Sequence, residues 1–373
     1  MASTRGAAAA ALVVGALALS SCGGGEEPAP ATETSTSTST ATATSTPPPF
    51  PGEAERRAAI GRLMIVQVPN FDAAAAAVDA GAGGIIIGSN TDPALLTEPG
   101  RDLAALHERA GGGLEVGIDF EGGPVQRLPE IIGDYPSPRK LAATSSPEQV
   151  LAVARGLGER LSDLGITTDF APVIDADING LSVVGERAFS PDPEVAGRYA
   201  TAFAQGLAEG GVKPVYKHFP GHGAASGDSH LEEVVTPPLK ELKAGELSAY
   251  GPALSAVPSA GVMLGHLTVP GLSTEGLPTS LDPAAYELLR SGDYPGGRPF
   301  EGVAYTDDLA QMIAVGESFS PEEAAVQAVA AGADRVMWVT GDVTSAIDAI
   351  DERVVSGELP WAGIEESAAK DRP

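Results

Sequence analysis

The segment from Lys217 to His230 carries the side chains in this chain that are best suited to chemistry. It holds three of the five histidines, and near its end Asp228 stands two residues before His230. A carboxylate at this spacing can fix the tautomer of an imidazole and raise its pKa, as a general acid/base requires. Proline and glycine between the histidines favour a shaped loop over a helix or a central strand. We interpret the segment as a catalytic loop, and a surface Asp-Ser-His turn is the alternative.

A second candidate group is Asp307, which follows the extended apolar segment Gly302–Thr306 and precedes Asp308. A carboxylate in this position could attack the anomeric carbon of a sugar and form a covalent glycosyl-enzyme. Aspartate is also a favoured helix N-cap, and a helix could begin at Leu309. Both roles stay open, one for each of the two aspartates.

Two other segments offer groups that hydrogen-bond to sugar hydroxyls. Asp119 lies in Gly117–Leu128, where Gly122 and Gly123 permit a tight turn. That segment lacks the Walker or dinucleotide spacing of a phosphate-binding loop. Arg187 can donate several hydrogen bonds in a fixed geometry, although a surface salt bridge is the simpler explanation of this residue taken alone.

Zinc binding is the alternative role for the histidines at positions 218, 222 and 230. Zinc sites usually place paired ligands on ordered elements, whereas Pro220, Gly221 and Gly223 lie among these histidines. The chain has a single cysteine, Cys22, far from them in sequence. We therefore expect neither a metal ion nor another cofactor.

Eight short apolar runs, most of them separated by helical patterns, indicate the scaffold that positions these residues. Near-continuous apolar strands that alternate with helices are typical of a buried parallel sheet. The length of the region favours a (β/α)8 barrel over a doubly wound open sheet. The predicted strands are Leu63–Val68, Gly84–Gly88, Leu114–Phe120, Thr168–Ile174, Val212–His218, Gly261–Leu267, Gly302–Thr306 and Arg335–Thr340.

Two helices between the strands have clear start signals. Ser146–Gln149 forms a capping box with proline at the first helical position, and an apolar stripe follows it as far as Gly165. Ser320–Glu323 repeats the device before a helix that is predicted to end near Ala331. In a barrel the active site lies at the carboxyl ends of the strands. The polar residues at those predicted ends are Asp119, Asp175, Lys217, His218, His266 and Asp307.

The N-terminus predicts export and a lipid anchor. Residues 1–21 contain one charge, Arg5, and an apolar run from Ala7 to Leu19 that is too short to span a bilayer permanently. Leu19-Ser20-Ser21-Cys22 resembles the bacterial lipobox, in which the cysteine is lipidated and becomes the mature N-terminus. Residues 22–52 are rich in Ser, Thr and Pro and predict a disordered stalk. The catalytic domain is expected at 53–373, on the outer face of the cytoplasmic membrane.

The composition excludes one class of partner. The chain has 50 acidic and 23 basic residues, a formal net charge of −27. Such an excess of acid argues strongly against nucleic acid as a partner. The low aromatic content, 5%, does not support a long aromatic-lined groove for polysaccharide. We expect a monomer whose partners are a carbohydrate and, through the anchor, a membrane.

These motifs together resemble glycoside hydrolase family 3, specifically its single-barrel β-N-acetylglucosaminidases of the NagZ type. The resemblance covers nearly all of residues 55–350 and is strongest in Lys217–His230. There the order Lys-His-Phe-Pro-Gly-His-Gly is followed, after four residues, by Asp-Ser-His. The segments Asp119–Leu128 and Tyr305–Leu309 match other family segments in the expected order.

The resemblance implies a role for each matching residue. Asp307 would be the nucleophile of a retaining hydrolysis, and His230, paired with Asp228, would be the acid/base. The implied substrate is GlcNAc linked to N-acetylmuramic acid in cell-wall fragments, and the barrel is expected to lack the C-terminal sandwich domain of larger members. The residues expected to line the sugar subsite are Asp119, Arg127, Arg187, Lys217 and His218.

Two segments depart from the family pattern. Ala224 and Ala225 stand where close relatives often have Asp-Thr, so the catalytic loop is expected to be anchored differently. Glu186–Ser190 is a looser version of the usual Asp-Arg-Ser-Phe-Gly segment. The alternatives that stay open are a β-GlcNAc phosphorylase, a β-glucosidase of the same family, and a non-catalytic sugar-binding lipoprotein.

Overall fold

The computed structural model describes residues 50–228, 233–309, 315, 319–339 and 342–370. The chain divides into two units, Met1–Phe50 and Pro51–Pro373, and the second contains all of the described strands and helices. The predicted signal, Cys22 and nearly all of the stalk lie outside the described residues. The strands are β1 (Met64–Val68), β2 (Gly84–Ile87), β3 (Glu115–Ile118), β4 (Phe120–Gly122), β5 (Val125–Gln126), β6 (Thr168–Asp169), β7 (Lys213–Phe219), β8 (Val234–Val235), β9 (Gly261–Leu264), β10 (Leu267–Thr268), β11 (Ala304–Asp308) and β12 (Arg335–Trp338).

Eight of these strands close into a parallel barrel in the order β1-β12-β11-β9-β7-β6-β3-β2. The barrel closes where β1 pairs with β12, with Val66 opposite Trp338. Two short pairs lie outside the barrel: β4 with β5, antiparallel, and β8 with β10, parallel. The predicted (β/α)8 barrel is thus confirmed.

Helices surround the barrel and cover its outer face. Both predicted capping boxes are present, because in each one the serine hydroxyl and the third helical side chain exchange hydrogen bonds with backbone N–H groups. The helices are α1 (Glu53–Gly61), α2 (Phe71–Asp79), α3 (Leu103–Arg109), α4 (Pro129–Ile132), α5 (Pro138–Thr144), α6 (Pro147–Asp163), α7 (Pro193–Glu209), α8 (Leu239–Ala244), α9 (Leu247–Ala256), α10 (Pro283–Ser291), α11 (Pro321–Ala331), α12 (Thr344–Ser356) and α13 (Trp361–Ala369).

The interior of the barrel is a packed apolar core, as the fold requires. Phe170 and Tyr305 meet edge to face inside it, with ring centroids 5.4 Å apart. In the described part of the chain, no helix combines the length and the apolar character needed to cross a membrane. The inward-facing cluster comprises Ile65, Ile86, Phe170, Val215, Met263, Val303, Tyr305 and Met337.

Several predicted strands are shorter than expected, and three of them have a local reason. The run Leu114–Phe120 breaks after Ile118, since Phe120 begins the β4–β5 hairpin. In the run Thr168–Ile174 the regular strand ends at Asp169, and beyond Pro172, which has no N–H to donate, pairing with β7 continues as an isolated bridge between Val173 and Lys217. In Gly261–Leu267 the barrel strand ends at Leu264, and Leu267 pairs with β8 instead.

The strand that contains Asp307 ends two residues later than the predicted Gly302–Thr306, and this fixes the position of the aspartate. β11 runs to Asp308, so Asp307 is a strand residue at the carboxyl end of the barrel. The helix expected from Leu309 falls mostly outside the described residues. The N-cap alternative for Asp307 therefore receives no support from the geometry of β11.

Candidate active site

A cavity of about 350 Å³ opens at the carboxyl ends of the barrel strands. Six of the predicted site residues line it: Asp119, Arg127, Arg187, Lys217, His218 and Asp307. Apolar side chains from four strand ends complete the wall, among them Ile86, Met263 and Met337. A larger cavity of about 490 Å³ lies between α11 and α12, but helix-surface residues line it and none of the predicted site residues reaches it.

An ion cluster built on the segment after β3 forms one wall of the cavity. Lys217 Nζ donates to Asp119 Oδ1 at 2.6 Å and lies 2.8 Å from Glu121 Oε1. Arg187 donates through Nε and Nη2 to both oxygens of Glu121, each at 2.8 Å, which is the bidentate geometry of a strong pair. Arg187 is thus not the surface salt bridge that its sequence position favoured.

The charged groups of the cluster shift one another's pKa values. Burial disfavours the Glu121 carboxylate, but Arg187 and Lys217 outweigh burial and hold the pKa of Glu121 well below its usual range. Burial also disfavours the Lys217 ammonium, and Asp119 and Glu121 reverse this effect and raise its pKa. Glu121 and Lys217 are therefore both charged at neutral pH. The side chain of Asp119, which lines the cavity, is 24% exposed.

Arg127 belongs to the same wall, and among the described residues its head group is only loosely paired. Its Nη2 lies 3.7 Å from Asp119 Oδ2. Its Nε is buried and has no hydrogen-bond partner in the part of the chain that the structure describes. An incoming hydroxyl could satisfy a donor that is left open in this way.

His218 is held by a buried carboxylate behind it. Asp175 Oδ2 accepts a hydrogen bond from His218 Nδ1 at 2.7 Å, and the same carboxylate accepts the backbone N–H groups of His218 and His222. Burial opposes ionisation of Asp175, but His218 outweighs it and lowers the pKa of this carboxyl. Because Nδ1 donates to Asp175, Nε2 of His218 stays available to a ligand in the cavity.

Asp307 faces the cluster from β11. Asp308 donates its backbone N–H to Asp307 Oδ1 at 2.9 Å, which fixes the plane of the carboxylate. Burial raises the pKa of Asp307, but the nearby imidazoles of His218 and His266 and the Asp308 N–H outweigh it and lower the pKa to about 2. A buried carboxylate that stays ionised near neutral pH has the properties of a nucleophile.

His266 supports Asp307 from outside the cavity. Its Nε2 donates to the backbone oxygen of Asp308 at 2.7 Å, and its Nδ1 contacts the hydroxyl of Ser280. The ring is 1% exposed. This matches the expectation of a satisfied core histidine better than that of a catalyst.

The predicted acid/base dyad is described only in part. Asp228 lies among the described residues, whereas His230 lies outside them, so the dyad stays a prediction. The start of its loop is held through main-chain contacts: Asn179 Nδ2 donates to the Ala224 oxygen at 2.9 Å, and Ala224 N donates to Glu246 Oε2 at 3.1 Å. The loop is therefore anchored at Ala224 through the backbone N–H and C=O groups of this residue.

The other histidine of the segment, His222, is buried, and neither ring nitrogen has a hydrogen-bond partner among the described residues. Burial lowers its pKa, which favours the neutral ring. The rings of His218 and His222 are 6.0 Å apart and meet edge to face. Within the described ranges, no group of three or more His, Cys, Asp or Glu side chains is arranged to hold a metal ion.

Sequence reasoning missed two residues of the site. Glu121 stands at the centre of the ion cluster, yet in sequence it is one acid in a Gly-rich loop. The available signal was its place in the segment Asp119–Leu128, which matches the family pattern. Glu246, immediately before α9, accepts hydrogen bonds from the backbone of the catalytic loop. Its neighbours in sequence resemble those of an exposed helix. Both act on residues far away in the chain.

A polar cavity with an ionised carboxylate at the carboxyl ends of eight parallel strands is where barrel enzymes place their active sites. Fold and site together define the chain as a (β/α)8-barrel enzyme. The family described as glycosyl hydrolase family 3 N terminal domain matches residues 57–370. The chain belongs to this family and is a glycoside hydrolase, with a carbohydrate as its substrate.

Named relatives agree with this membership. The chain is 43% identical over 321 residues to the β-hexosaminidase LpqI of Mycobacterium tuberculosis, covering 84% of this chain and 81% of that protein. A solved glycosyl hydrolase of family 3 from Mycobacterium smegmatis superposes with a TM-score of 0.81 at 43% identity, over 85% of this chain and 96% of that one. A β-N-acetylglucosaminidase from Paenibacillus superposes with a TM-score of 0.76 at 30% identity, over 84% of this chain and 61% of that one.

Proposed function

We propose that the protein is a retaining exo-β-N-acetylglucosaminidase that removes terminal GlcNAc from peptidoglycan fragments. The relatives named β-hexosaminidase or β-N-acetylglucosaminidase support this type of activity. The single observation that carries the proposal is the ionised Asp307 in the same cavity as the ion cluster of Asp119, Glu121, Lys217 and Arg187. That pairing supplies a nucleophile next to groups that bind hydroxyls.

The proposed reaction has two steps with the same acid/base. His230, with its tautomer fixed by Asp228, protonates the glycosidic oxygen while Asp307 attacks the anomeric carbon and the aglycone leaves. His230 then removes a proton from water, the water attacks the glycosyl-Asp307 ester, and the sugar leaves with retained configuration. An imidazole is neutral after it has given up its proton, so it does not repel an anionic acceptor or a peptide-bearing substrate.

The sugar subsite supports an exo-acting enzyme for small substrates. Asp119, Arg127 and the Nε2 of His218 offer both acceptors and donors to the hydroxyls of one ring. A volume of about 350 Å³ suits a single residue of this kind and not a long chain. The aglycone would extend out of the cavity toward solvent.

We also propose that Cys22 carries a lipid that holds a monomeric enzyme on the outer face of the cytoplasmic membrane, with residues 22–52 as a stalk. The proposal is motivated by the lipobox-like Leu19–Cys22 and the Ser/Thr/Pro-rich segment that follows. In cell fractions the full chain is expected with the membrane, and Cys22→Ser outside it. Equal membrane recovery of the two forms would contradict the anchor.

The activity is tested with the full chain in detergent, on p-nitrophenyl-β-GlcNAc, p-nitrophenyl-β-glucose and GlcNAc-MurNAc fragments. We expect turnover of the GlcNAc substrates, a loss in kcat of about 10⁴-fold or more in Asp307→Ala, and a loss of about 10²–10⁴-fold in His230→Ala. The matched control is Asp348→Ala, on the exposed surface of α12, which should keep full activity.

Each alternative function has its own outcome in this assay. Release of sugar phosphate that depends on added phosphate would replace hydrolysis by phosphorolysis. Faster cleavage of the glucoside would change the substrate to glucose. Saturable binding of GlcNAc without turnover, by a protein with a normal thermal melt, would make the chain a sugar-binding lipoprotein.

A further inference from the structure

We infer that Glu246 is a positioning residue of the enzyme, and that its buried carboxylate fixes the base of the loop that carries Asp228 and His230. The inference rests on the proposed function, because it assigns to Glu246 an effect on the proposed acid/base. It concerns a residue outside the cavity, since Glu246 is absent from the cavity wall and is 2% exposed.

The carboxylate of Glu246 joins two loops that follow neighbouring strands. It stands immediately before α9 and accepts three backbone N–H groups: Ala176 at 3.1 Å, Gly223 at 2.9 Å and Ala224 at 3.1 Å. Ala176 follows Asp175, the partner of His218, and Gly223 and Ala224 begin the catalytic loop. One side chain thus connects the support of the sugar subsite with the start of the loop.

The glycines of the segment fit this arrangement closely. A Cβ at Gly221 would lie 2.7 Å from the Cβ of Glu246, and a Cβ at Gly223 would lie 1.6 Å from the backbone oxygen of Ala176. Any larger residue at Gly223 would push the loop away from both Ala176 and the carboxylate. The close approach that brings the loop to Glu246 therefore needs glycine at these positions.

The loop is also held further along, so the described part of its base is well defined. Ser226 N donates to the Val235 oxygen at 2.9 Å, and Val235 N donates back to Ser226 Oγ at 3.0 Å. β8, which contains Val235, pairs with β10. Asp228 lies two residues beyond Ser226 and four beyond Ala224, so the base that Glu246 contacts is close in sequence to the proposed dyad.

Burial and neighbouring groups shift the pKa of the Glu246 carboxyl. Two titratable groups act on Glu246: Asp175, from the loop after β6, and Tyr250, from α9. Asp175 also accepts the backbone N–H of His222 after β7. Burial, together with the charge of Asp175, raises the pKa of Glu246 to about 8. The three N–H donors oppose this rise but do not outweigh it. The positioning role rests on the three backbone contacts of Glu246 and not on the charge of its side chain.

The test compares two substrates that differ in their need for an acid. Phenol is a poor leaving group that requires protonation, whereas dinitrophenolate leaves without it, and kcat/KM reports the glycosylation step for both. In Glu246→Ala we expect kcat/KM to fall about 100-fold on phenyl-β-GlcNAc and less than about 3-fold on dinitrophenyl-β-GlcNAc, since an error of about 1 Å in placing a catalytic group has such a cost.

The conservative variant sharpens the test. Glu246→Gln keeps the oxygen that accepts from Ala176 and Gly223 but offers an amide to the Ala224 N–H, so a loss of about 10-fold on the phenyl substrate is expected. GlcNAc affinity should change less than kcat/KM on the phenyl substrate, because Glu246 contacts the support of the subsite only through the Ala176 backbone.

Controls separate the failure of this inference from the failure of the proposed function. Glu241→Gln, on the exposed side of α8, is the matched control and should behave as the wild type. A wild-type protein that cleaves neither substrate refutes the proposed function. An active wild type, with equal losses on the two substrates or no loss in a folded Glu246→Gln protein, overturns the positioning role. If Glu246→Ala does not fold, the Gln variant decides.

Discussion

The barrel has a buried cluster of ions at each end, built on the same strands. At the amino end, Glu115 begins β3 and is surrounded by Lys213, Arg335, Thr168 and Tyr305. At the carboxyl end, the Asp119–Glu121 segment follows β3 and meets Lys217 of β7 and Arg187. In each cluster the acid comes from β3 or the segment that follows it, and the lysine comes from β7.

The two clusters satisfy their glutamates differently. Neutral hydroxyls make the short contacts to Glu115, 2.8 Å from Thr168 and 2.6 Å from Tyr305, while its cations stand back at 3.5 and 3.9 Å. Glu121 is in direct contact with two cations at 2.8 Å. Burying several charges together costs desolvation that a pair of apolar residues would avoid. The amino-end cluster links side chains of β3, β6, β7, β11 and β12. The carboxyl-end cluster holds its charges at the wall of the cavity, where a ligand can reach them.

The largest effect is expected from removing the charge at the carboxyl end. Glu121→Gln leaves Lys217 and Arg187 buried with one anion fewer, so we expect the free energy of unfolding to fall by about 3 kcal/mol. kcat/KM should fall by about 100-fold, because both cations lose the partner that orients them toward the sugar. Urea unfolding and steady-state kinetics measure the two effects. A variant with wild-type kinetics would mean that this cluster serves only the fold.

The same substitution at the amino end should have a smaller and different effect. Glu115→Gln keeps an oxygen for the Thr168 or Tyr305 hydroxyl, and the cations near it are already at a distance. We expect a loss of about 1–2 kcal/mol in unfolding free energy and kcat/KM within about 2-fold of the wild type. Because the two clusters lie at opposite ends of β3, their effects on stability should add in the double variant. A large loss of activity in Glu115→Gln would remove the functional difference between the two ends.

Much of this architecture could be predicted from the sequence, because it depends on local patterns. Apolar runs located all eight barrel strands, and the capping boxes at Ser146 and Ser320 fixed two helix starts. The predicted strand ends were wrong where the hydrogen-bond ladder became irregular, as around Pro172. The polar residues at predicted strand ends did gather in one cavity, since parallel strands present their carboxyl ends at one face.

The electrostatics of the site could not be predicted in the same way. Glu121 and Lys217 are almost a hundred positions apart, and their 2.8 Å contact exists only because β3 and β7 lie near each other across β6. Taken alone, Arg187 suggested a surface salt bridge, and only the family resemblance placed it in the sugar subsite, where it pairs with Glu121. Glu246 has no motif at all, because its partners are backbone N–H groups that any sequence provides.

The smallest effect that distinguishes the two ends is their response to acid. The pKa of Glu121 is lowered in the folded state from its ordinary value of 4.5, so its stabilising effect is complete above about pH 4.5 and is lost as the pH falls further. The difference in Tm between the wild type and Glu121→Gln should therefore narrow by about 2–4 °C as the pH falls below 4.5. Thermal melts of the wild type and both glutamine variants between neutral and acid pH measure this, with Glu115→Gln as the control that keeps the Glu121 response. A Tm difference that stays constant down to the lowest pH at which the protein folds would show that Glu121 is not held ionised by Arg187 and Lys217, and the contrast between the two clusters would then rest on contact distances alone.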